Sequence, residues 1–128
     1  TSKLLLIHNE IRKVVDEYNP THGAIEKVFV STNPRSALVL GQARGAAIVA
    51  LSSFGIDVHE YTALQTKRSI TGTGGAGKAQ VQHMVRILLG MNYIPPQDTA
   101  DALACAICHL HTIQSAQNIN VYEKNERE

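Results

Sequence analysis

A punctuated alternation of strand-like and helix-like segments limits this chain to few architectures. His22 to Val30 reads as a strand, and Ile56 to Tyr61 as a shorter second one. Between them Asn33-Pro34 opens a helix, with Asn33 as cap and Pro34 at the first helical position, and Gly55 closes it just after Phe54. A strand, a long helix and a strand in that order predict an α/β domain. Upstream, Ser2 heads a helix with apolar positions Leu5, Leu6, Ile11, Val14 and Val15, stopped by Asn19-Pro20. Downstream, a helix is expected over Thr62 to Ile70, a glycine-rich loop over Gly72 to Gly77 and a helix over Lys78 to Leu89. A last helix, capped by Asp98 beyond Pro95-Pro96, is expected to run to about Thr112. Residues 1–113 thus form one domain with one core, and 114–128 a flexible polar tail that lacks core-forming periodicity.

No apolar run reaches the expected length of a membrane span, and no charged-then-apolar leader is seen. The two cysteines, Cys105 and Cys108, are too few for a disulfide framework and fit a reducing, cytoplasmic setting. The net charge of +1 hides an asymmetry. From Tyr61 to Gln97 there is no acid, while Lys67, Arg68, Lys78 and Arg86 contribute +4; from Asp98 onward five acids face two bases. The basic stretch is either a solvated face or the contact surface for a polyanion.

Three carboxylates carry the chemistry. Glu26 lies within the first strand, where an acid is unfavourable unless something binds it. Asp98 and Asp101 are three apart at the start of an apolar helix, so both fall on one face and repel unless a cation lies between them. Asp98 alone reads as a cap, but Asp101, one turn in, is not explained by capping. Together the three describe a site for a divalent cation.

Two other motifs are weighed and set aside. Gly72 to Lys78 matches G-x-x-x-x-G-K, yet Ala79 stands where a P-loop needs Ser or Thr, and the preceding Gln65 to Ser69 is polar and basic. The loop's N–H groups and Lys78 remain suited to a nucleic-acid phosphate. Cys105-Ala106-Ile107-Cys108-His109 matches the haem-attachment pattern but lies mid-helix among apolar residues, so the cysteines read as small core residues. Phe29 reads as core packing. Gly41 and Gly45 allow close backbone approach, either to a sheet or to a symmetry-related helix.

Read in order, Ala24-Ile25-Glu26-Lys27-Val28-Phe29, Ser36-Ala37-Leu38, Leu40 to Gly45, Lys78 to Val85 and Asp98 to Ala104 resemble the RuvC family of Holliday-junction resolvases. The series covers the chain to about His111 and is far more specific than any one motif. The resemblance implies a ribonuclease H-like mixed sheet flanked by helices, and a homodimer that cuts four-way junction DNA symmetrically in recombination and repair. It implies two Mg²⁺ per active site, with Mn²⁺ as an alternative, held by Glu26, Asp98 and Asp101, with Lys67 and Lys78 near the scissile phosphate. It implies DNA contacts from Phe29, which would stack on a base at the opened crossover, and from Lys67, Arg68, Gly74, Gly75 and Lys78. Leu38, Gly41, Gln42 and Gly45 fall in the family's dimer-forming region, and the RuvA and RuvB branch-migration proteins are the expected partners, with no membrane. The family begins with three strands, the first carrying a further essential aspartate. This chain is expected to start at the helix after them, without that fourth ligand. A non-catalytic junction-binding or dimerisation fragment is therefore the alternative reading.

Overall fold

The computed structural model describes residues 2–27 and 33–127. Its elements, in chain order, are α1 (Ser2–Tyr18), β1 (His22–Lys27), α2 (Pro34–Ser53), β2 (Asp57–Thr62), α3 (Ala63–Thr71), α4 (Lys78–Leu88) and α5 (Gln97–Arg127). β1 and β2 are neighbours in a two-stranded sheet. The Asp57 N–H donates to the Thr21 carbonyl at 3.2 Å, so the strands start side by side and run parallel, joined through α2. The expected alternation of strands and helices is present. The described residues divide into two compact units rather than the one core expected, the first holding 2–23 and 33–59 and the second 24–27 and 60–127. The helices sort themselves this way because α1 packs on α2, whereas α3 and α4 both pack on α5.

In the first unit, α2 begins where Asn33 accepts hydrogen bonds from the N–H groups of Arg35 and Ser36, with Pro34 filling a position that needs no N–H. It ends at Phe54, and Gly55 takes the left-handed conformation (φ +76°) that turns the chain toward β2. α1 lays Leu4, Ile7, His8, Ile11 and Val15 half-buried along one face, and the His8 ring packs on Phe54 at 5.3 Å. Leu5, Leu6 and Val14, expected on the apolar face, are exposed. Two adjacent stripes of α1 are both apolar, and packing, which sequence periodicity does not contain, selected the other one. α2 has 20 residues and is apolar enough, by length and composition, to cross a membrane, contrary to the sequence expectation. Its apolarity is spread over alanine and valine among glycine, serine and Arg44, which hides it from a search for an unbroken run.

The second unit holds the main core. Ile70, Ala76, Val81, Val85, Ala104 and Ile107 cluster between α3, α4 and α5, with Met84, Met91 and Leu103 packed against them. Burying each large side chain of this kind is worth about 1.5–3 kcal/mol. A smaller cluster joins Tyr61, Cys105 and Cys108 to Ala24. α3 starts at a capping box in which Gln65 N–H donates to Thr62 Oγ1 at 3.0 Å and Thr62 N–H donates to Gln65 Oε1 at 2.8 Å. The last helix departs from expectation at both ends. It starts at Gln97, so Asp98 lies within the first turn and is not the cap. It continues to Arg127 instead of ending near Thr112 in a mobile tail. Extending a nucleated helix costs little, and the buried half of α5 supplies the nucleus. Lys124 and Arg127 in its last turn also suit the negative helix end.

Candidate active site

Four of the five residues expected to act on a phosphodiester meet in one open cleft of about 230 Å³ in the second unit. Glu26 enters from the end of β1, Lys67 from α3, Lys78 from the first residue of α4 and Asp101 from α5; Ala63, Thr66, Val81, Gln97 and Cys105 complete the lining. A neighbouring hollow is lined by Glu26, Asp98 and Asp101 with Ala24, Ile25, Ala102 and Cys105. Glu26, Asp101 and Cys105 therefore belong to both, and all three carboxylates share one continuous surface. Residues far apart in the chain meet because β1 runs beside β2 and α3, α4 and α5 pack together.

Glu26 is exposed, as is Lys27, so the strand's end is not the buried environment expected from its apolar neighbours. Among the described residues, β1 has one sheet neighbour, β2. Asp98 and Asp101 are exposed as well. The chemistry of the three acids fits a hard divalent cation: several carboxylate oxygens with open access. The first-turn position of Asp98 adds the field of the helix start, which favours negative charge there.

Lys67 is half-buried and Lys78 exposed. Below the acids, burial pushes the Cys105 thiol up from 9.0 to about 11, with the charges of Cys108 and Glu26 adding to the rise. It therefore stays protonated at neutral pH. Tyr61 behind it is raised above its ordinary 10.0 by burial, against a hydrogen bond to the Thr112 side chain that lowers it. Its hydroxyl also pairs with His109 Nδ1, which commits the histidine of the C-x-x-C-H match to an internal bond. Both cysteines are free and buried.

Arg68, Gly74 and Gly75 are not among the residues lining the cleft. The Gly75 N–H donates to Thr73 Oγ1 at 3.3 Å, so this loop amide is used internally. Phe29 lies outside the described residues. The segment before the glycine loop is helix α3, not the strand a P-loop requires, which removes the nucleotide-hydrolase reading. Sequence reasoning missed Thr66, Gln97 and Cys105 as cleft residues. For Cys105 a signal existed, since it is four residues after Asp101 on the same helix face. In the first unit, Leu38, Gly41, Gln42 and Gly45 form an exposed stripe on α2, and nothing lies within 4 Å of where a side chain at either glycine would begin.

The structure is thus an α/β fold with a cleft that brings carboxylates and lysines together. The family model described as crossover junction endodeoxyribonuclease RuvC matches residues 1–109, and the chain belongs to that family. The RuvC of Marinobacter nauticus is 54% identical over 113 residues, covering 88% of this chain and 65% of the relative. The RuvC of Bordetella avium is 56% identical over 110 residues, covering 86% of this chain and 61% of the relative. The chain thus spans a little under two thirds of the length of these curated relatives. Among solved structures, Thermus thermophilus RuvC matches with a TM-score of 0.82 at 33% identity, covering 90% of this chain and 70% of that one. T. thermophilus RuvC in complex with a Holliday junction substrate matches with a TM-score of 0.85 at 33% identity and the same coverage. The fold is ribonuclease H-like, as expected.

Proposed function

We propose that this chain is a structure-specific DNA endonuclease that resolves four-way junctions by symmetric, metal-dependent phosphodiester hydrolysis in recombination and repair. The observation that carries the reading is the cleft where Glu26, Asp101, Lys67 and Lys78 meet, in a chain of the RuvC family. The similar T. thermophilus protein in complex with a Holliday junction substrate supports the choice of DNA.

Glu26, Asp98 and Asp101 would hold the metal. Two Mg²⁺ ions, or Mn²⁺ in their place, would when bound supply a more acidic attacking water and a neutralised leaving oxygen. Lys67 and Lys78 bind the scissile phosphate and offset the negative charge that builds on its oxygens during displacement. Arg68 and the Gly74-Gly75 loop extend the basic surface along the DNA backbone, and Phe29 stacks on a base at the opened crossover. The exposed stripe of Leu38, Gly41, Gln42 and Gly45 pairs two copies into a homodimer, which supplies the symmetry of the two cuts. RuvA and RuvB are the proposed partners, and a cytoplasmic location goes with them. The nuclease domain is taken as residues 1–113, a boundary supported by a family match that ends at residue 109.

The test is nicking of a synthetic four-way junction with Mg²⁺, beside linear duplex DNA. Paired cuts confined to the junction are expected. Asp101→Asn should lower the rate by at least about a hundredfold, as removal of a charged group from a catalytic site does, while junction binding by gel shift persists. The second reading is a binding or dimerisation fragment, in a chain that spans a little under two thirds of the length of its curated relatives. Junction binding by folded protein without metal-dependent cutting would establish it instead.

A further inference from the structure

Thr66 lies on α3 beside Lys67 and is among the residues lining the cleft shared by Lys67, Lys78, Glu26 and Asp101. The residue is 8% exposed, and its Oγ1 is buried with no hydrogen-bond partner. Buried hydroxyls nearly always find a partner. A helical threonine has an easy one in the carbonyl a turn back. Thr71 takes it, donating to the Lys67 carbonyl at 2.7 Å, and Thr112 donates to the Cys108 carbonyl at 2.9 Å. Thr66 leaves that acceptor unused while facing a cleft.

A separate feature points the same way. α4 begins at Lys78, and its N-cap, Gly77, provides no side-chain acceptor for the N–H groups of the first turn. Gly74 lets the loop before it press on α3, since a Cβ there would overlap Leu64 and lie 3.4 Å from Arg68 Nε. Beside its two carboxylates the cleft therefore combines two ammonium groups, an uncapped helix start and a hydroxyl without a partner. These three features donate, and together they suit an anionic oxygen.

We propose that the Thr66 hydroxyl contacts the substrate, donating a hydrogen bond to a non-bridging oxygen of the phosphodiester held between Lys67 and Lys78. The identity of that substrate rests on the function proposed above; the binding of a phosphate does not. Rotation about χ1 exchanges Oγ1 with the methyl group, and helical threonine populates two such rotamers, so the hydroxyl can turn into the cleft when a phosphate arrives.

The test compares the full chain with Thr66→Val, which keeps the shape and removes the donor, and Thr66→Ser, which keeps the donor. Inorganic phosphate is titrated and followed through the Lys67 and Lys78 backbone amide shifts. Thr66→Val should weaken phosphate binding roughly five- to tenfold, the worth of one hydrogen bond, with Thr66→Ser within about twofold of the parent. Nicking of the four-way junction with Mg²⁺ should slow by a similar factor in Thr66→Val and recover in Thr66→Ser. The melting temperature of Thr66→Val should be no lower than the parent's, because the change deletes a buried hydroxyl that has no partner. Equal phosphate affinity in parent and Thr66→Val, or no phosphate response in the parent, would overturn the proposal. A lowered melting temperature in Thr66→Val would also overturn it, by making the hydroxyl structural. A parent that fails to nick while Thr66→Val still weakens phosphate binding would leave Thr66 assigned and reject the endonuclease reading.

Discussion

Among single residues, the cleft sets exposed charge above buried neutral groups. Glu26, Asp98 and Asp101 keep their access to solvent and offer carboxylate oxygens there. Cys105 beneath them is 3% exposed and stays a thiol. Its raised value has a consequence for stability. An acid whose folded pKa lies above its unfolded value contributes stability that is complete below the unfolded value and is lost as pH rises through the folded one. For Cys105 that window runs from 9.0 to about 11. Tyr61, also raised, extends the loss above pH 10.0. Melting temperature is expected to fall across this range, and Cys105→Ala to fall less steeply. Parallel curves for the two proteins would show that the thiol does not carry the effect.

Among the elements, short local signals set the boundaries, and packing decided which faces are covered. The capping box at α3 holds Lys67 and Thr66 in position one turn later, so its loss is felt in the cleft as well as in the fold. Thr62→Ala should destabilise the protein by about 1 kcal/mol in urea unfolding. The helix starts at Pro34 and Lys78, the stops at Asn19 and Gly55, and the strand starts near His22 and Ile56 were legible because proline, glycine and asparagine act through local backbone sterics. The apolar face of α1 and the extent of α5 were not legible. Both depend on what the helix packs against, and that partner lies elsewhere in the chain.

For the molecule taken whole, each unit carries one of the proposed roles. The second holds the acids and lysines. The first presents the α2 stripe, where Leu38 and Val49 are 65% and 63% exposed beside two glycines. Large apolar side chains flanking small residues suit close pairing of two helices. Gly45→Glu should convert a dimer to a monomer in sedimentation analysis. Because a side chain there meets nothing within 4 Å and glutamate favours helix over glycine, the monomer itself should not be destabilised. A dimer that survives the change would place the contact elsewhere.

The α/β order, most element ends and the candidate acids could be read along the chain, since these follow from backbone sterics, periodicity and the cost of isolated charge. So could the ordered motifs that mark the family, because a series of local patterns in one order is specific without knowledge of contacts. Folding in three dimensions brought Glu26, Asp101, Lys67 and Lys78 to one cleft, set the core residue Cys105 in its lining and left the Thr66 hydroxyl without a partner. Those facts are distances between segments far apart in the chain. They arise when helices choose packing faces that minimise exposed apolar area, a choice that no single segment encodes.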